Sequence, residues 1–151
     1  MSSAQSEAGR YFPNLPVNVN YRALAEFRFV LRRFLIFSED AAADVGLTSQ
    51  QHQVLLAIKA LSEGEAVSVR DIARQLLLRH HTIVELIDHL VKLDLVERVP
   101  DREDRRRIRI GITDLGEARL RELSAVHLRE LHAIGPYLAA SLNACRRTAA
   151  T

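Results

Sequence analysis

Tryptophan is absent from this chain, cysteine and methionine occur once each, and aromatic residues make up only 5% of its 151 positions. The lone thiol, Cys145, has no partner for an internal disulfide and is too little for a zinc–thiolate cage. A reducing compartment is the simplest reading, and no metal is expected. Long apolar runs are missing too. Phe34-Leu35-Ile36-Phe37 is flanked by Arg32, Arg33, Glu39 and Asp40, and falls far short of the ~20 apolar residues a membrane helix needs. Met1 to Gly9 is polar and small, without the apolar core of a signal peptide. The expectation is a soluble, cytoplasmic protein with no membrane partner. A strong imbalance of charge is also lacking: the formal net charge is +2, so any affinity for a polyanion must come from how charge is placed. There is no Gly-rich phosphate loop, no nucleophile elbow and no His-Glu-x-x-His. Neither an enzyme nor a cofactor is expected.

The length fits one domain, or one domain with an appended dimerisation element. Residues 1–17 form an arm rich in Ser, Ala, Gln and Gly, with Pro13 and Pro16 breaking any helix. Residues 18–45 hold a helix, because Tyr21, Leu24, Phe27, Leu31, Phe34 and Leu35 recur at spacings of three and four. Gly46 ends it. Residues 46–112 begin with a capping box, Thr48 and Gln51, ahead of a helix that turns Val54, Leu55 and Ile58 inward. A very short strand over Val67-Ser68-Val69 and a short helix from about Arg70 to Leu77 follow. His80 to Leu93 places Ile83, Leu86, Ile87 and Leu90 on one helical face. Leu95 to Val99 alternates like a strand, Pro100 to Arg106 is a charged loop, and Arg107 to Ile112 alternates again with isoleucine at even positions. Residues 113–151 open a long helix capped by Thr113, which Gly135-Pro136 is expected to end before a last short helix over about 137–146. The fold class is mainly α with a small β-hairpin wing: a winged helix-turn-helix with N- and C-terminal dimerisation helices.

Duplex DNA requires a short helix that leads into the major groove with polar residues while its rear is anchored in a core. The helix from His80 meets this requirement. Ile83, Leu86, Ile87 and Leu90 anchor one face, and the other carries His80, His81, Val84, Glu85 and Asp88, with Arg79 at the entrance and Thr82 in the first turn. The hairpin supplies a second contact. Arg102, Arg105, Arg106, Arg107 and Arg109 lie within eight residues, against only Glu103 and Asp104. An arginine-rich hairpin of this kind lies on phosphates or enters a narrow minor groove. If Ile108, Ile110 and Ile112 face the core, Arg107 and Arg109 face solvent. Asp101 and Asp104 are expected to hold the hairpin by accepting backbone or arginine donors.

From about Leu47 to Gly116 the sequence resembles the multiple antibiotic resistance regulator (MarR) family. The most specific stretch is Leu95-Val96-Glu97-Arg98, then Asp101-x-x-Asp104-Arg105-Arg106, then Ile112-Thr113-x-x-Gly116. Ser68-Val69-Arg70-Asp71-Ile72-Ala73 resembles the start of the first helix of the helix-turn-helix, and the resemblance adds Ser68 and Arg70 to the DNA-contacting set. It also implies a homodimer in which terminal helices intertwine, and a transcription regulator, a repressor, under small-molecule or redox control. Asp88 is implied to brace wing arginines. A pocket for a small aromatic effector is implied between the dimerisation helices and the DNA-binding lobe, with Phe34, Phe37, His52 and Leu55 as candidate lining; the alternative is that all four are core. The chain departs from the family's pattern at Leu77-Leu78 and at Asp94, where glycine is usual, and at Glu85. Two other readings stay open: a winged-helix module that binds protein, which Glu85 and Asp88 would suit, and a regulator without an effector.

His52, His127 and His132 are read as surface or interface residues. His127 and His132 are five apart, roughly 140° around a helix, so they share no face. Cys145 lies beside Arg146 and Arg147, which favour a thiolate. Its place near the C-terminus differs from that of peroxide-sensing members of the family, which carry theirs near the first helix.

Overall fold

A computed structural model describes residues 19–147. Its elements are α1 (Tyr21–Asp44), α2 (Ser49–Leu61), β1 (Val67–Ser68), α3 (Val69–Leu76), α4 (His80–Lys92), β2 (Val96–Pro100), β3 (Ile108–Ile112) and α5 (Asp114–Arg147). The arm expected over residues 1–17 lies outside the described residues.

Local chemistry sets most boundaries. Asn20 Oδ1 accepts from Ala23 N at the start of α1. The capping box before α2 is formed in both directions, Gln51 N to Thr48 Oγ1 and Thr48 N to Gln51 Oε1. Ser68 caps α3 by accepting from Asp71 N. Thr113 caps α5 by accepting from Gly116 N, and its own hydroxyl donates to the Asp94 carbonyl. The three strands form one antiparallel sheet in the order β1-β3-β2. The hairpin was expected; its third strand is set by the pairs Val67↔Ile110 and Ser68↔Arg109, which no local pattern announces.

The chain divides into two compact units. One is Ile36–Arg129. Its core joins Leu47, Val54, Leu55 and Ile58 to Ile72 of α3, Ile83, Ile87 and Leu90 of α4, Val96 and Ile110 of the sheet, and Leu120 and Leu123 of α5. Leu123 is thus a core residue, 1% exposed. The other unit combines residues 19–35 with residues 130–147. It buries Ala23, Val30, Ile134 and Ser141 but leaves Tyr21, Leu24, Phe29, Leu31, Leu35, Leu131, Tyr137 and Leu142 exposed. A cavity of about 120 Å³ lies within it, lined by Phe29, Val30, Ile134 and Tyr137 among others.

Two sequence expectations fail. Gly135-Pro136 does not end the long helix, which runs unbroken from Asp114 to Arg147 with Pro136 inside it. Proline removes one backbone donor and crowds the preceding turn. Even so, Ile134 and Ser141 fall on one buried stripe with half-buried Leu138, and packing of that stripe overrides the local preference. The isoleucines of β3 also do not all face the core. Ile110 is fully buried and Ile112 half-buried, whereas Ile108 is exposed, since it pairs with Pro100 at the far end of the hairpin.

The two departures from the family's glycines land on the two non-glycine residues that have left-handed backbone among the described residues, Leu77 (φ 55°) and Asp94 (φ 58°). This conformation costs an L-residue roughly 1–2 kcal/mol. Leu77 is also 91% exposed, so its side chain gains little from packing. Leu77→Gly is expected to raise the urea midpoint by an amount equal to about 0.5–1 kcal/mol, after the entropy glycine adds to the unfolded chain. A lowered midpoint would show that Leu77 makes a contact that outweighs its backbone strain.

Candidate nucleic-acid interface

α4 turns its apolar set inward and its polar set out. Ile83, Ile87 and Leu90 are buried, while His80, His81, Glu85, Asp88, His89 and Lys92 are exposed and Thr82 and Val84 half-buried. Positions 81, 85, 88 and 92 follow helical spacing, so the exposed residues form one stripe. Arg79 precedes α4 without capping it. Arg70 of α3 is exposed, whereas the Ser68 hydroxyl oxygen is engaged as a cap.

The wing is held by its two aspartates. Asp101 Oδ1 accepts from Glu103 N at 2.9 Å, and Oδ2 from Arg109 Nε at 2.7 Å. Asp104 Oδ1 accepts from Arg106 N at 3.1 Å. Backbone bonds from Asp101 N to Arg107 O and from Arg107 N to Asp104 O close the loop. The Arg109 hydrogen bond, followed by the one from the Glu103 amide, holds the Asp101 carboxyl below the usual carboxylate range, and Asp101 in turn raises Arg109. Arg109 also donates to the Ala66 carbonyl at 3.2 Å. It therefore joins the wing to the loop before β1, and is not the solvent-facing arginine that strand alternation implied. Its guanidinium is committed before any ligand arrives.

The other four arginines point outward. Arg102, Arg105, Arg106 and Arg107 are exposed, and their carboxylate neighbours stand off: Glu65 at 3.8 Å from Arg102, Asp104 at 3.8 Å from Arg106 and 3.9 Å from Arg107. Exposed pairs at such distances contribute little, so these cations remain available to an incoming anion.

Sequence reasoning overlooked Arg98. It lies on β2 and pairs with Asp88 of α4, tying the wing strand to the helix beside it. Asp88 is thereby partly neutralised, which leaves Glu85 as the main acid on the exposed stripe. The signal was in the sequence, since Arg98 alternates with the exposed Glu97, but its partner lies ten residues away on another element. On the outer side of the sheet is an open cleft of about 870 Å³, lined in part by Lys59, Glu65, Glu97, Arg102 and Arg109. Of its three cations, Lys59 is paired with Glu117 and Arg109 with Asp101, while Glu65 stands 3.8 Å off from Arg102.

Of the residues singled out for an effector, Leu55 is sealed in the core of the 36–129 unit, and Phe34 belongs to the terminal unit. His52 and Phe37 do meet, through His127. The His52 and His127 rings lie 4.7 Å apart, and Phe37 packs edge-on against His127 at 5.6 Å. Both histidines are buried, contrary to the surface role read from sequence. Seventy-five residues separate them, so only tertiary packing could bring them together. Among the described residues no group of three or more His, Cys, Asp or Glu could hold a metal ion, and no helix is long and apolar enough to cross a membrane.

A short capped helix, a second helix with a polar outer stripe and an arginine-bearing hairpin closing a three-stranded sheet define a winged helix-turn-helix protein. Residues 45–107 match the model of the MarR family, whose members are transcription regulators and not enzymes. No curated protein matches by sequence. Solved structures agree in fold. MepR, a transcription regulator of the Staphylococcus aureus multidrug efflux pump MepA, is 20% identical, over 85% of this chain and 91% of its own, with a TM-score of 0.68. The S. aureus MepR–DNA complex gives 21% identity over 77% and 81%, with a TM-score of 0.63. A mutant MarR from E. coli complexed with operator DNA gives 20% over 70% and 73%, with a TM-score of 0.60.

Proposed function

We propose that this protein is a dimeric, sequence-specific DNA-binding repressor. The outer stripe of α4 enters the major groove and the wing lies on the flanking backbone. The observation that carries this reading is the division of labour within the wing. Asp101, Asp104 and Arg109 hold the hairpin, and Arg102, Arg105, Arg106 and Arg107 are left to face outward. A hairpin that served only as a lid on the core would have no use for unneutralised cations at its tip. Solved relatives in complex with DNA support the same reading. Arg79, His80, His81, Thr82 and Glu85 are assigned to base and phosphate contacts at the groove, with Ser68 and Arg70 beside them.

Duplexes selected from a random pool test this directly. A preferred sequence should emerge, bound with strong salt dependence. His81→Ala or Glu85→Ala should change which duplexes are preferred, by roughly 1–3 kcal/mol at a read base pair. Absence of binding to any duplex at low salt would favour a protein-binding module instead.

Dimerisation is assigned to the terminal unit. Its exposed Tyr21, Leu24, Phe29, Leu31, Leu35 and Tyr137 form more apolar surface than a soluble helix pair usually carries. Covering each large side chain contributes roughly 1.5–3 kcal/mol. Sedimentation at micromolar concentration should show a dimer, and a well-behaved monomer would remove this assignment. Control by a small aromatic effector is the remaining part of the reading. Phe37 and His52 are its candidate contacts, and loss of DNA binding on adding such compounds is its test.

A further inference from the structure

His52 stands out among the buried groups. It is 95% buried on α2, and its Nδ1 has no hydrogen-bond partner among the described residues. Its neighbour His127 is fully engaged. His127 Nδ1 lies 2.7 Å from the Leu123 carbonyl, which can only accept, so that nitrogen carries the proton. His127 Nε2 is then the acceptor for the Ser38 hydroxyl at 2.8 Å. The pair joins three helices: α1 through Ser38 and Phe37, α2 through His52 and α5 through His127.

We propose that His52 and His127 form an acid-sensitive latch between α2 and α5, closed when His52 is neutral and opened when it takes up a proton. Closed, it holds the helix-turn-helix in its DNA-binding form; this last step rests on the DNA-binding reading above.

The physical case starts from what a second proton would meet. An imidazolium at His52 has two N–H donors in a buried setting, with an imidazole face 4.7 Å away and no acceptor at Nδ1. A buried charge without a partner is strongly disfavoured. The groups around it do not help. α1 brings Ser38 and Phe37 to His127, and neither ionises in this range. α5 brings His127, whose electrostatic effect on a protonated His52 is repulsive. Burial first, and His127 second, lower the His52 pKa to about 4 from 6.5. The sign of the pH effect follows. Above pH 6.5 the ring is neutral whether the latch is open or closed, and the closed form is fully stable. As pH falls below 6.5 an opened His52 takes up a proton that the closed form refuses, so stability is lost progressively down to about pH 4. The opening constant rises about tenfold between pH 7.5 and pH 5.5.

Opening reaches the DNA-binding surface through α2. His52 shares that helix with Val54, Leu55 and Ile58, which form the floor under α3 and α4. Moving α2 away from α5 therefore moves the floor on which the outer stripe of α4 is presented.

The test compares the full chain with His52→Leu and His52→Gln, two non-ionising residues of different polarity. Urea unfolding at pH 7.5 and 5.5 reads the latch, and duplex affinity at the same two pH values reads its consequence. The wild-type unfolding constant should rise about tenfold more than that of either variant, and wild-type affinity should fall by up to tenfold relative to the variants. Every residue other than 52 is the same in all three proteins, so the comparison isolates His52. Equal pH dependence of unfolding in all three overturns the latch. Unequal unfolding with identical pH dependence of affinity overturns its coupling to DNA. Failure of all three to bind any duplex at either pH sinks the DNA-binding reading, while the unfolding comparison still decides the latch. Should both variants fail to fold, the wild-type His52 ring proton titration by NMR decides it: a midpoint near 4 supports the latch, and one near 6.5 overturns it.

Discussion

Gly116→Ala is expected to destabilise the 36–129 unit by about 3–4 kcal/mol, at the upper end of overpacking effects. A Cβ at this position would sit 2.0 Å from the Leu95 carbonyl oxygen and 2.9 Å from Ile112 Cγ1. The first of these is backbone and cannot rotate away. Nor can the start of α5 move back, because it is tied at three points. Thr113 N donates to the same Leu95 carbonyl, the Thr113 hydroxyl donates to the Asp94 carbonyl, and Gly116 N donates to the Thr113 hydroxyl oxygen. Relief of the clash breaks at least one of these bonds and displaces Leu95, a buried core residue, and Ile112. A domain of this size is stable by only about 5–15 kcal/mol, so the urea midpoint should fall by a large fraction. Gly135→Ala is the control. Nothing lies within 4 Å of a Cβ there, and alanine in a helix interior gains about 0.5–1 kcal/mol over glycine. A Gly116→Ala protein within about 1 kcal/mol of wild type would show that the α5 start is looser than its hydrogen bonds imply.

The double substitution Arg105→Ala, Arg106→Ala is expected to weaken binding to every duplex while leaving unfolding unchanged. Neither side chain supports the fold: both are exposed, and Asp104 is held by the Arg106 amide, which alanine retains. If each arginine neutralises one phosphate, a dimer loses four contacts. The slope of log affinity against log salt then falls by about 3.6 units, and affinity at 0.15 M salt by about a thousandfold. Arg109→Ala behaves differently. It frees Asp101 and the Ala66 carbonyl together, so it should lower the unfolding midpoint and weaken DNA binding through a loosened wing. Salt titrations on a preferred and a scrambled duplex, beside urea unfolding, separate the two mechanisms. An unchanged salt slope in the double variant would remove the wing tip from the interface.

Much of this protein was decided locally. Thr48 with Gln51, Ser68 and Thr113 each place an oxygen where a helix begins, and a cap is a contact between residues three apart. The inward set Ile83, Ile87 and Leu90 follows from helical period alone. The arginines at the wing tip and the aspartates among them lie within one short loop, so their grouping was visible in the sequence, and so was the winged-helix fold that the structure shows. Other features depend on segments far apart in the chain. β1 is two residues long and pairs only because β3 passes beside it. Arg109 lies within the alternating strand, but its commitment to Asp101 and Ala66 needs the loop before β1 to be in place. Leu123 sits on the same helix as the exposed Leu128 and Leu131, and only the packing of the 36–129 unit distinguishes them. His52 and His127 share no local pattern, and they meet because α2 and α5 pack together. Interactions within a few residues are dictated by backbone geometry and can be read from spacing. Contacts between distant segments arise only when a whole core closes, and there the same alternation or period fits several partners until packing selects one.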